Sequence, residues 1–495
     1  MGVYMKYLLT LISGVLTGLA MPGNLFSFFI WFSLVFFLRN IARSKTHYER
    51  LLHTIIYSSS MLVTTLWWLL PTLSKNIPQI LKNYSSIVGF FGYVGMIILL
   101  MIPYLIIWLL SELYHRKDRQ YNYLSLVFFY SFAYTVAEIL RGFGDLAFMG
   151  GNLSYALYDH TGIIQIASII GSFGLTFIIV FVNALIAFDN SRDKVFKILA
   201  IFTTIYISNF AIVRYLPPIN GTNDSIKVGA VQTNVPQEIK YSSNPIQDYS
   251  TFSKNIEEFK NRDVDVVVFP ESTFLEDISK SEIESQMVRD IQNLYKPVIL
   301  GHPRIGNDNH FNSAWVYNPH GSIEGIYDKV KLTPFAEFLP YETIFGNFDV
   351  FRLLNYYTPG EDYLTFSLNE TDIGVQICFE TYFPEVAINQ AKNGANLLIA
   401  ISNDGWFNSK TGLFQHFSQG VFRAVETRRD FIQVSNTGLT GSIDKYGRIT
   451  NIFESKEEKT GIFFVNPNDN ISFYSKASDI LKILFFIGAL LLAIL

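Results

Sequence analysis

Apolar residues fall into two kinds of run along this chain. Long runs cover Tyr7 to Met21, Leu25 to Leu38, Leu51 to Leu70, Ile87 to Leu110, Tyr121 to Leu140, Ile163 to Phe188, Val195 to Val213 and, near the far end, Ile480 to Leu495. Runs of this kind predict membrane-crossing helices, because only a helix satisfies its own backbone in hydrocarbon. The pattern therefore predicts about eight spans. The first two are short and separated by Pro22-Gly23, which suits a tight helical hairpin. Between Arg214 and Ser478 the apolar runs shrink to strand length. "IKVGAVQTNV", "VDVVVFPEST" and "PVILGHPR" read as strands, with helices over Asp248 to Arg262 and Ser281 to Leu294 between them. "FNSAWVYNP" and "IEGIYDKVKL" flank Pro319-His-Gly-Ser and read as a hairpin, "DIGVQICFE" and "ANLLIAISND" repeat the strand pattern, and Phe414 to Arg429 reads as a helix. Such alternation implies a sheet core with helices packed outside it.

Composition fits this division. Of 495 residues, 49% are hydrophobic and 16% charged, which is too apolar for an ordinary soluble protein. The net charge of −4 carries no basic footprint for nucleic acid. Basic residues collect after the second predicted span (Arg39, Arg43, Lys45, Arg50), the fourth (Arg116, Lys117, Arg119) and the sixth (Arg192, Lys194, Lys197). Because Lys and Arg mark cytoplasmic loops, this alternation puts the long polar segment outside the cytoplasm. The expected organisation is a membrane domain over 1–213, an extracytoplasmic α/β domain over 225–470 and a last span over 480–495. A cleavable signal peptide is the alternative for the first run, but no clear small-residue cleavage site follows it.

The chain has one cysteine, Cys378, so an internal disulfide is excluded, and no Cys/His cluster stands at zinc spacing. Cys378 follows the apolar strand "IGVQI", Glu271 follows "VVVFP", and Lys329 follows "IEGIYD". Strand ends are where α/β folds display reactive groups. Singly, each residue has an ordinary explanation as core filler, helix cap or surface lysine. Together they make an acyl-transfer set. Glu271 can take the thiol proton, and a helix N-terminus expected after Cys378 would lower the thiol pKa. Lys329 and a backbone N–H near Phe379 can stabilise an oxyanion. No phosphate loop or metal constellation implies a cofactor.

"FPES", "YDKVKLTPFAEFLP" and "QICFE", in this order, resemble the three motifs of the nitrilase superfamily. "IQIASIIGSFGLTF", "ISNDGWF" and "QHFSQGVFRAVETRRDFIQVSNTGLTGSIDKYGRI" look more narrowly like the apolipoprotein N-acyltransferase family, and this resemblance covers nearly the whole chain. It implies an αββα sandwich on an eight-helix membrane domain, facing outward from the bacterial cytoplasmic (inner) membrane. It also implies the chemistry: a phospholipid donates an acyl chain to Cys378, and the α-amino group of a lipoprotein's diacylglyceryl-cysteine accepts it. Carried over residue by residue, Glu271 is the base, Lys329 the oxyanion stabiliser and Cys378 the nucleophile, with Glu337 and Glu380 as further important acids. Tyr241 stands where the family often has tryptophan, and Phe379 where it often has tyrosine. "GDLAFMGGNLSYALY" lacks the proline-tryptophan and serine-glutamine features common in that membrane segment.

Both implied substrates carry acyl chains, and exposing them to water costs about 0.8 kcal/mol per CH₂. Aromatic and apolar loop residues such as Phe335, Phe338, Leu339, Tyr356, Tyr357, Trp406 and Phe407 are candidates for the entrance, with Tyr241, Trp406 and Phe335 the chosen substrate contacts. Their ordinary alternative is a core or interfacial role. Glu138 and Arg141 in "AEILRGF" are three apart on a predicted helix and can form an ion pair on one face or touch substrate. Two other functions use the same chain: a membrane-anchored amidase with water as acceptor, and a non-catalytic membrane binding protein. The acceptor separates the first from acyl transfer. A transporter should show internal repeats or several polar residues deep in its spans, and the sequence has neither.

Overall fold

The computed structural model describes residues 3–82, 84–115, 122–217, 225–306, 308–347, 356–368 and 371–494. The basic residues Arg116, Lys117 and Arg119, together with Tyr121 and Leu495, lie outside the described residues. The chain divides into two compact units, one of Met1–Leu70, Phe90–Pro217 and Lys476–Leu495, the other of Pro71–Gly89 and Pro218–Ser475.

Among the described residues, five helices are long and apolar enough to cross a membrane: Ser86–Tyr114, Tyr123–Leu140, Ala167–Phe188, Lys194–Tyr215 and Phe473–Ile494. The expected count was about eight, and the other three runs differ for identifiable reasons. The first forms a 17-residue helix, Val3–Leu19. The second, Leu25 to Leu38, is split between a 3₁₀ turn at Ser27–Trp31 and a helix at Val35–Arg43. The third, Leu51 to Leu70, outlasts its helix, His47–Thr65, and His53 and Ser58 to Ser60 dilute its apolar character. The Ser86–Tyr114 span passes through a 3₁₀ turn at Ile102–Tyr104, where Pro103 lacks a backbone donor.

The second unit is a four-layer sandwich. Its strands are β1 Ile226–Gln232, β2 Val266–Val268, β3 Val298–Gly306, β4 Asn309–Tyr317, β5 Ile323–Asp328, β6 Thr365–Leu368, β7 Thr371–Ile377, β8 Leu397–Ser402, β9 Asp430–Ser435, β10 Gly441–Ile443, β11 Ile449–Ile452 and β12 Lys459–Val465. They form two six-stranded sheets, ordered β12-β1-β2-β3-β4-β5 and β11-β10-β9-β8-β7-β6. Alternate residues face opposite ways along a strand. Val228, Ala230, Val266, Val268, Ala314 and Val316 therefore meet Ile373, Val375, Ile377, Ile399, Ile401 and Ile432 between the sheets. Val231, Val267 and Leu300 face outward instead, onto Phe252, Ile256, Met287 and Ile291 of the helices Pro245–Glu257 and Glu282–Leu294. The helices Pro384–Lys392 and Gln419–Thr427 lie against the second sheet. The helix expected over Phe414 to Arg429 is two helices, Lys410–Phe417 and Gln419–Thr427.

Candidate active site

Three strand ends converge. Glu271 lies three residues beyond β2, where Gly301 on β3 lets the chain pass so closely that a Cβ there would sit 2.8 Å from the Glu271 Cα. Lys329 directly follows β5, and its N–H donates to the Asn312 carbonyl at 2.8 Å. Cys378 directly follows β7, in left-handed backbone with φ +50°. An L-residue adopts that conformation only when its surroundings hold it there.

The charges are buried. Lys329, 1% exposed, lies 2.9 Å from the Glu337 carboxylate and 3.7 Å from Glu271 Oε1. The Asn312 amide donates to both acids, at 2.8 Å to Glu271 and 2.7 Å to Glu337. The Asn403 N–H holds the other Glu271 oxygen at 2.8 Å, and the Thr333 N–H holds Glu337 at 2.7 Å. Burial works against the Lys329 charge, but Glu337 and Glu271 outweigh it and keep the ammonium above its ordinary pKa. Burial raises Glu271, Lys329 opposes this, and the negative charge of Glu337 adds to the rise. Burial pushes on Glu337 as well, yet the direct bond from Lys329 holds it below the usual carboxylate range. One acid is thus a firm anion and the other a poised base.

Cys378 is half-buried. Burial, then the charge of Glu271, push its thiol well above the ordinary value, against the pull of Lys329. The expected helix-terminus effect is missing because Cys378–Tyr382 is one turn of 3₁₀ helix, and the α-helix begins only at Pro384. A single turn carries little dipole. The resting thiol is therefore neutral and requires its base at the moment of attack.

Glu380, expected as a further functional acid, is a brace. One of its oxygens accepts from the Tyr327 hydroxyl (2.8 Å), the Val330 N–H (2.7 Å) and the Lys331 N–H (3.1 Å), while the other accepts from the Ile377 N–H (2.8 Å). It ties the segment after Lys329 to the residue before Cys378. Burial pushes its carboxyl up to about 7. Glu380→Gln turns an amide N–H₂ toward one of these donors, so an expected loss of about 1–3 kcal/mol should appear in chemical denaturation of the detergent-solubilised protein.

The aromatic candidates separate. Tyr241 and Trp406 pair with ring centroids 5.0 Å apart, and Gln237, at the start of the turn before Tyr241, donates at 2.6 Å to Asn403, whose N–H holds Glu271. Phe335 packs on Phe345 at 5.3 Å, two residues before Glu337, and Phe379 joins Tyr382 and Phe383. Glu138 and Arg141 lie in the other unit, and the expected ion pair between them is replaced by separate anchoring. Glu138 accepts from the Leu153 N–H (2.7 Å) and the Thr176 hydroxyl (2.5 Å), and Arg141 donates to Asn152 (2.6 Å) and the Gly150 carbonyl (2.5 Å). Each fixes the segment that follows their helix.

Sequence reasoning missed Asn312, Asp404 and His416, and placed Tyr357 only among the candidates for the entrance. Asn312 reads as one more position in an alternating strand; Tyr357 donates its N–H to the Glu337 carbonyl at 2.7 Å. Cys378, Asp404 and His416 bring metal-ligating atoms within 4.8 Å of one another. Asp404 and His416 are however bonded to each other, and the second imidazole nitrogen faces the Cys378 carbonyl.

Residues 227–468 match the carbon-nitrogen hydrolase family, and residues 13–185 match the apolipoprotein N-acyltransferase N-terminal domain. Apolipoprotein N-acyltransferase of Thermotoga maritima is 39% identical over 95% of this chain and 90% of its own length. The chain belongs to the apolipoprotein N-acyltransferase family. The family's namesake in Geobacter metallireducens is 25% identical over 96% of this chain and 92% of its own. Apolipoprotein N-acyltransferase 2 of Treponema denticola is 26% identical over 76% and 77%. The acyltransferase family thus accounts for both the apolar N-terminal part and the sandwich that carries the buried charges.

Proposed function

We propose that this chain moves a fatty acyl chain from a membrane phospholipid to the α-amino group of an N-terminal diacylglyceryl-cysteine, through a thioester on Cys378. The observation that supports it most is the buried Glu271, Lys329 and Glu337 group at the Cys378 turn, in a chain related over 95% of its length to a named N-acyltransferase. Glu271 takes the thiol proton as Sγ bonds to the ester carbonyl carbon. The carbonyl oxygen becomes an oxyanion, stabilised by the Lys329 ammonium and a backbone N–H of the Cys378 turn. The C–O bond then breaks, and the alkoxide takes the proton from Glu271 and leaves as lysophospholipid. In the second half the uncharged amine attacks the thioester, gives its proton to Glu271 and expels the Cys378 thiolate, which is reprotonated.

In this reading the apolar runs, including the three that fall short as single long helices, make up eight spans over 1–213 and 480–495. The catalytic domain, 225–470, faces outward from the bacterial cytoplasmic membrane, as the basic loops suggest. Tyr241, Trp406 and Phe335 line the approach of the acyl chains.

A base with a raised pKa sets the pH dependence. Glu271 acts only when ionised, so acyl-enzyme formation falls as pH drops through a value above the ordinary carboxylate range of about 4.3. Glu337→Gln removes a like charge and releases Lys329 toward Glu271. Both changes favour the anion, so the acid limb of the rate profile moves to lower pH.

The test of the function uses the purified full chain in detergent with phospholipid and a synthetic diacylglyceryl lipopeptide, followed by intact mass of enzyme and peptide. One acyl chain added to the peptide amine, through an acylated enzyme that requires Cys378, supports the transfer. An acylated enzyme that releases only free fatty acid makes it a hydrolase, and a folded enzyme that is never acylated overturns the proposal.

A further inference from the structure

Asp404 accepts four side-chain donors: Ser402 Oγ (2.7 Å), His416 Nδ1 (2.8 Å), Ser435 Oγ (3.2 Å) and Gln433 Nε2 (3.5 Å). A carboxyl surrounded in this way by donors is an anion. On the far side of the ring, His416 Nε2 lies 3.0 Å from the Cys378 carbonyl oxygen, which can only accept. Each ring nitrogen therefore faces an acceptor with no proton to give, so both nitrogens must carry one. The ring is held flat by Tyr382, stacked 5.3 Å away, with the Phe407 edge at 6.5 Å.

We propose that His416 is a permanent imidazolium, anchored by Asp404, that clamps the carbonyl of Cys378 and acts as a positioning residue for the nucleophile. This rests on the reading of Cys378 as nucleophile given above. The peptide plane explains how the clamp works. The Cys378 carbonyl and the Phe379 N–H are opposite ends of one rigid trans amide, so fixing the carbonyl fixes the plane and with it the left-handed backbone of Cys378. The Thr381 hydroxyl donates to the same carbonyl at 3.1 Å and works in the same direction. A charged donor also polarises the amide and strengthens the opposite N–H as a donor.

The groups that govern the imidazolium are Asp404 in contact and Glu271 nearby, and its other neighbours include the Cys378 carbonyl, the Cys378 thiol within 4.8 Å, held neutral by burial and by Glu271, and the two aromatic rings. Burial opposes the charge, and the acids outweigh it and raise the imidazole above its ordinary value. The folded state thus holds His416 protonated where a free imidazole is half neutral, at about pH 6.5.

The test has two parts, and the histidine titration and the thiol alkylation in them are independent of acyl transfer itself. In ¹⁵N-histidine-labelled full chain in detergent, the resonance lost in His416→Gln is expected to keep the imidazolium shift across about pH 6 to 8, where an ordinary imidazole titrates. Asp404→Asn should make it titrate within that window. A neutral His416 in the wild type overturns the proposal without any variant having to fold. In the second part, His416→Ala should slow iodoacetamide alkylation of Cys378. It should lower the acylation kcat by about 10²-fold with phospholipid KM unchanged, as expected for a misplaced reacting group. His416→Gln, which keeps one N–H donor, should recover part of the loss. Unchanged alkylation in folded His416→Ala overturns the clamp. If the wild type alkylates as described and never acylates, only the proposed function fails.

Discussion

Cys378→Ala should leave a folded protein that never becomes acylated and transfers nothing to a lipopeptide. The expectation for the fold follows from the backbone. Alanine and cysteine bear the same penalty at φ +50°, and the half-buried thiol lies at the margin of the core between the sheets, so unfolding should shift by less than about 1 kcal/mol. The expectation for the chemistry follows from the proton. The thiol is already held neutral by burial and by Glu271, and attack depends on moving its proton to that carboxylate. Cys378→Ser makes the same point more stringently, because a hydroxyl is harder still to deprotonate. Its acylation should fall by at least about 10³-fold, or about 4 kcal/mol of barrier. Intact mass after incubation with phospholipid, beside thermal unfolding of each variant, reads both expectations. An alanine variant that still carries one acyl chain would move the nucleophile elsewhere.

How much of this site was legible depended on what kind of position each residue holds. Glu271, Lys329 and Cys378 end apolar strands, and a strand end is visible as a change of pattern. Asn312 sits within β4, where its neighbours' alternation hides it, although its amide links both acids. Asp404 and His416 are recruited from a turn and a helix that come together only in the fold. The sequence suggested a helix N-terminus at Cys378, yet Pro384 already marked the true start, since proline favours the first helical position. The membrane runs were found from composition. Their lengths were less certain, because hydropathy does not register the 3₁₀ turn within the second run, and the third reads as one run across His53 and Ser58 to Ser60 although these lower its hydropathy. Glu138 and Arg141 were rightly spaced to be neighbours on a helix, but buried backbone groups at Leu153 and Gly150 claimed them instead.

Lys329→Met should be nearly as damaging as loss of the thiol, by a different route. Lys329 is the cation between two buried carboxylates that already share one Asn312 amide. Without it, two negative charges face each other out of water, and one acid must take a proton. Glu271 is the one already pushed upward, so it becomes the neutral acid, and the enzyme loses its base together with its oxyanion stabiliser. Each role alone is worth about 10²–10³-fold or more, so acylation near neutral pH should fall by at least about 10³-fold, with the acid limb moved to higher pH. Lys329→Arg should not restore it, since a planar guanidinium does not fit a space shaped for an ammonium 2.9 Å from Glu337. Stability gives an independent readout. A carboxyl whose folded pKa lies above its unfolded one binds its proton more tightly when folded, so it loses stability as pH rises. The deficit of Lys329→Met against the wild type should therefore be smallest in acid and grow as pH passes the ordinary carboxylate range. Acylation reduced less than about tenfold at neutral pH, with a pH-independent stability deficit, would mean that Lys329 only fills space between the two acids.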